Sequence, residues 1–121
     1  MVVRATFLLD GGGTVTEDVA VGPQGRATLF SGAVPGLVGR SFAAVFEAPE
    51  PIAVERAMYF GRDGTWVGGH ATAGVTMPAT RWFFAEGATG DFFDTFVLIA
   101  NPNPEATTAL ISFYTANVQV I

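Results

Sequence analysis

Alternation with a period of two is the feature that most constrains this chain. Val3, Ala5, Phe7 and Leu9 alternate with Arg4 and Thr6, and the run ends in Asp10-Gly11-Gly12-Gly13. Successive side chains of a strand point to opposite faces, so this pattern followed by a glycine turn predicts strand, turn, strand. Val15, Val19 and Val21 carry it on against Thr14, Thr16 and Asp18, with Glu17 as the one inward misfit, and Gly22-Pro23-Gln24-Gly25 closes it. No segment holds apolar residues at helical spacing for long enough to bury a helix. The chain is therefore expected to be all-β.

The same reading extends along the chain. Ala27 and Leu29 suggest a short third strand, and residues 31–40 a crossing between sheets, with a few apolar anchors. Phe42, Ala44 and Phe46 face one way, Pro49-Glu50-Pro51 makes a corner, and Ile52, Val54, Met58 and Phe60 form the next strand. Gly61 to Pro78 reads as a long glycine-rich loop with at most a short edge strand. Phe92 to Ala100, apolar on both faces, is expected to be a central strand, Ala106 to Thr115 the last clear one, and Asn117 to Ile121 a possible further one. Strands at intervals of about 8 to 12 residues point to an antiparallel β-sandwich, an immunoglobulin-like Greek key before a barrel or propeller blade. With 121 residues, half of them apolar, one module spanning 1–121 is expected, able to fold without disulfides or metal.

Charge and composition exclude several functions. The net charge is −5, and the basic residues are six scattered arginines with no lysine, so nucleic acid is not an expected partner. No apolar run reaches the roughly 20 residues of a spanning helix, so membrane insertion is not expected either. There is no cysteine. His70 is the single histidine, and Ser31, Ser41 and Ser112 lie in no nucleophile elbow, which leaves no hydrolytic triad to assemble. No enzyme activity and no cofactor are expected.

Three groups of side chains are candidates for binding. Glu86, Asp91 and Asp94 surround a glycine turn and offer the oxygens that calcium takes, and Asn101 and Asn103 lie a strand-length further on. About 25 Å of strand, at roughly 3.3 Å per residue, would separate the two groups, so turn and capping roles are expected before a shared ion. Tyr59 and Trp66 are the best candidates for stacking on a sugar ring, provided that they lie coplanar and exposed on one surface. Trp82 is expected in the core. Arg56 is expected to meet a carboxylate on a neighbouring strand.

The two ends echo each other. Setting residues 3–9 over residues 109–115 places Thr6 on Ser112 and Phe7 on Phe113, with the inward series Val3, Ala5, Phe7 on Ala109, Ile111, Phe113. The offset of about 106 residues suits one sandwich module. Residues 54–60 (VERAMYF), 68–71 (GGHA), 78–83 (PATRWF), 85–90 (AEGATG), 92–96 (FFDTF) and Asn101-Pro102-Asn103 resemble the tandem repeat of uncharacterised bacterial surface and secreted proteins. The resemblance implies an exported, extracellular or cell-surface location, with the export signal outside this chain. It also implies a module cut or permuted relative to the repeat, whose partners are other copies or neighbouring repeats. A donated terminal strand would then allow head-to-tail assembly, and a glycan is the alternative partner.

Overall fold

A computed structural model describes residues 1–115. It is all-β with antiparallel sheets: β1 (Val2–Leu9), β2 (Thr14–Ala20), β3 (Phe42–Glu47), β4 (Glu55–Arg62) and β5 (Thr65–Ala73). A 3₁₀ turn at Ser31–Ala33 is the one short helical piece among the described residues.

The first sheet has the order β2-β1-β3, and β1 runs antiparallel to both neighbours. The glycine turn works as its composition suggests. Gly11, Gly12 and Gly13 adopt φ of +83°, +97° and +85°, which a Cβ disfavours. The Gly12 N–H donates to the Leu9 carbonyl at 3.0 Å, and the Leu9 N–H to the Gly13 carbonyl at 3.0 Å. Register then puts the alternating residues where expected. Val3, Ala5 and Phe7 are buried on one face of β1, and the misfit Glu17, half-buried, sits opposite Ala5.

That face is covered by the connection from β2 to β3. Its anchors Val34 and Leu37 are buried against Ala5 and Phe7, with Leu29, Leu9, Val15 and Phe42 packed around them. Phe7 and Phe42 meet edge to face, centroids 5.1 Å apart. Residues 31–40 thus cross over one sheet instead of passing between two. Leu29 contributes to the core from irregular backbone, and no third strand forms at Ala27 and Leu29. A strand there would need a free sheet edge beside it, whereas the segment lies over the sheet face.

The second sheet is the hairpin β4–β5. β4 begins at Glu55, so Ile52 and Val54 precede it. The expected loop from Gly61 to Pro78 is largely a nine-residue strand, joined to β4 by Asp63-Gly64. Both turn residues have positive φ, +53° and +76°, as a two-residue hairpin turn of matching twist requires. Every β4 residue is exposed, so among the described residues no second layer is packed on the hairpin.

From Gly74 to Thr115 the backbone is irregular apart from a single bridge at Tyr114. The strands expected at Phe92 to Ala100 and Ala106 to Thr115 do not form. In the first, local bonds win: the Thr95 hydroxyl donates to the Ala88 carbonyl and accepts from the Ala88 N–H, and the Gly90 N–H donates to the Phe93 carbonyl. Among the described residues the second makes only the single bridge at Tyr114. The strand proposed for Asn117 to Ile121 lies outside the described residues.

Candidate functional site

The hairpin carries the two aromatic candidates, and its register explains how they come together. Tyr59 pairs with Gly69 and Phe60 with Gly68, but Gly61 pairs with Trp66, which leaves Val67 without a partner. This bulge reverses the alternation beyond it. Strict alternation from Gly68 would put Trp66 on the face of Phe60. The bulge returns it to the face of Gly61 and Tyr59, where the two rings lie 6.2 Å apart.

Glycine makes this arrangement possible at two positions. A Cβ on Gly61 would stand 1.9 Å from the Thr65 carbonyl oxygen, so the bulge closes only on a residue without one. A Cβ on Gly69 would meet the Tyr59 ring at 3.1 Å, so the ring lies against bare backbone. Phe60 does the same over Gly68 on the reverse side, an aromatic ring covering a strand glycine. Tyr59 is 70% exposed and Trp66 74% exposed, and Trp66 with Gly61, Gly64 and Thr65 lines a shallow concavity. Both rings are exposed on one face and are tilted by 58° to each other, not coplanar.

The other candidates are placed differently. Glu86, Asp91 and Asp94 belong to no group of three or more metal-binding side chains among the described residues. The Asn101 carboxamide is engaged in its own turn. Its Oδ1 accepts from the Asn103 N–H at 3.1 Å and from the Asn103 side chain at 2.9 Å, while its Nδ2 donates to the Glu105 carbonyl at 2.7 Å. His70 is exposed in β5 opposite Met58, not in a loop. Trp82 is half exposed and donates its indole N–H to the Ala79 carbonyl at 3.0 Å, which holds it in a local turn and out of any core.

Cross-strand ion pairing occurs, but at another arginine. Arg56 faces Thr72 and makes no salt bridge among the described residues. Arg4 sits in one row across the first sheet between Asp18 of β2 and Glu47 of β3. Its guanidinium donates to both Asp18 oxygens, at 2.9 and 3.0 Å. The hydrogen bond, then the charges, raise the Arg4 pKa and hold the Asp18 carboxyl below its usual range. This pair is absent from the candidates read off the sequence, though strict alternation in two strands joined by a tight turn puts residues 4 and 18 opposite one another.

Comparison with protein-family models, with curated proteins and with solved structures returns no match.

Proposed function

We propose that this chain is a non-catalytic structural and interaction module of an exported bacterial protein, and that its apolar segment from Trp82 to Tyr114 associates with another module of the same kind. One observation carries the proposal. Phe83, Phe92, Leu98 and Leu110 are 84%, 87%, 82% and 92% exposed on backbone that has almost no ladder partner. Burying a side chain of this kind stabilises by about 1.5–3 kcal/mol, so several adjacent ones favour a covering surface strongly.

The echo between the ends supports a strand as the form that this segment takes. β1 holds the central place between β2 and β3, and residues 109–115 keep its alternation with no ladder partner among the described residues beyond the bridge at Tyr114. Ile111 and Phe113, aligned with Ala5 and Phe7, are 42% and 50% exposed, against 92% and 82% for Leu110 and Tyr114. A second claimant to one position pairs instead with a sheet edge of a neighbour, as in strand donation. The outer edge of β3 suits this role because Phe42 to Phe46 carry no charge, whereas β2 carries Glu17 and Asp18. In the assembled state the two sheets and the donated strand complete an immunoglobulin-like sandwich. Export rests on the resemblance of the sequence to surface and secreted repeats.

Light scattering on eluted fractions tests the proposal. The native chain should show a mass that rises with concentration, and the double variant Ile111→Asp, Phe113→Asp should stay monomeric. A native chain that is monomeric at high concentration, with residues 106–115 resistant to protease, rules the proposal out.

A further inference from the structure

The hairpin presents a second surface, independent of the C-terminal segment. We infer that Tyr59 and Trp66 form a stacking site for two consecutive residues of a neutral, β-linked pyranose chain. Two observations carry this. The bulge between Phe60 and Gly61 brings both rings to one face, and Gly69, without a Cβ, lets the Tyr59 ring close on the strand while it stays 70% exposed. A ring held flat and exposed offers the face that the axial C–H groups of a pyranose pack against.

The surroundings select the chemistry of the ligand. Glu55, Ala57, Tyr59 and Gly61 of β4 and Trp66, Gly69, Ala71 and Ala73 of β5 share this face by register, and the one charge among them, Glu55, lies at the end of the hairpin away from Trp66. Arg62 and Thr65, the next pair toward the turn, fall on the reverse face by the same register, so their side chains add no charge to this one. The chain as a whole carries −5, which repels uronic-acid and sulfated polymers as well as nucleic acid. A neutral sugar meets neither penalty. The 58° tilt narrows the class further. Two coplanar rings suit a flat crystalline surface, whereas successive residues of a soluble β-1,4-linked chain are rotated about its axis and fit two tilted rings.

Nuclear magnetic resonance on the full chain tests the site, with cellopentaose and chitopentaose as probes and polygalacturonate as the charged control. The two tryptophan indole N–H signals report separately. The Trp66 signal should shift on addition of millimolar neutral sugar while the Trp82 signal stays, and polygalacturonate should move neither. Trp66→Ala and Tyr59→Ala should each weaken binding about tenfold. Trp66→Phe, which keeps a stacking ring and the cross-strand contact, should retain most of it, so that lost folding is distinguished from a lost site. A Trp66 signal that does not respond, unchanged affinity in Trp66→Ala, or a Trp66 signal that shifts on simple dilution because a second copy covers the face would overturn the inference.

Discussion

The turn from β1 to β2 places three consecutive residues at positive φ with nothing near enough to touch an added Cβ. Strain is therefore separable from crowding here. Gly12→Ala, at +97°, should cost about 1–2 kcal/mol, the penalty of a left-handed L-residue, read as a lower urea midpoint with an unchanged slope. Gly61 is the opposite case. Its φ lies outside the positive region, but a Cβ would run into the Thr65 carbonyl, so Gly61→Ala should open the bulge and part Tyr59 from Trp66. Loss of cross-strand contacts between those rings, measured by nuclear Overhauser effects, checks it. Charge gives a third residue-scale expectation. Arg4 holds the Asp18 pKa below its unfolded value, so the pair contributes stability that is full above about pH 4, the ordinary Asp value, and is lost as pH falls through the folded value. Arg4 stays charged throughout this range. Both groups are well exposed, so the effect should be small and should fade in high salt. Melting curves from pH 5 to pH 2 at low salt should show native and Asp18→Asn proteins converging at the acid end. A gap that widens toward acid would contradict the sign.

Among the described residues β1 is the one strand with partners on both sides and a buried face, and the hairpin has neither. Amide exchange should accordingly be slowest at Ala5 to Leu8 and fast throughout β4 and β5. Phe7→Ala removes the ring that meets Phe42 edge to face in a core of few residues; a cost of about 3–5 kcal/mol should unfold the first sheet while leaving the hairpin signals in place. What the sequence makes legible follows the same division. β1, its turn and β2 were readable because a one-residue slip would expose Val3, Ala5 and Phe7 together, so pattern and energy agree. Val34 and Leu37 were legible as anchors, but not the surface they anchor to, since periodicity assigns faces and not neighbours. β5 was misread for a physical reason. Its glycines look like loop punctuation, yet Gly68 and Gly69 are places where Phe60 and Tyr59 lie down across the strand. The signal that could have recovered it is Asp63-Gly64 between two runs containing aromatics. Trp66 could not be placed beside Tyr59 without knowing the bulge. At Phe92 to Ala100 the apolar run was legible and its pairing was not, because a central strand depends on two neighbours that its own composition does not supply.

At the scale of the whole chain, two forces oppose each other in any association. Exposed phenylalanine and leucine between Trp82 and Tyr114 favour contact between copies, and a net charge of −5 on every copy resists it. Contact made through apolar surface and backbone pairing has no favourable charge term to lose, so the only charge term that salt screens is the repulsion. At 0.1 M the screening length is about 10 Å and at 1 M about 3 Å, so added salt should weaken the repulsion and also strengthen apolar burial when the anion is sulfate. Acid acts through the same term: near the sequence pI of about 4.5 the repulsion vanishes. Association through ion pairs predicts the reverse on both axes, since salt would screen the attraction and acid would protonate its carboxylates. A calcium-bridged contact through Glu86, Asp91 and Asp94 predicts a third pattern, abolition by EDTA, whereas apolar pairing predicts no effect of EDTA on mass or melting temperature. Sedimentation equilibrium at three salt concentrations, at pH 7 and pH 5, with and without EDTA, separates the three. The expected outcome is a weight-average mass that rises with sodium sulfate, rises again at pH 5 and ignores EDTA. A mass that falls as salt is added would show that the exposed apolar segment is not what brings copies together.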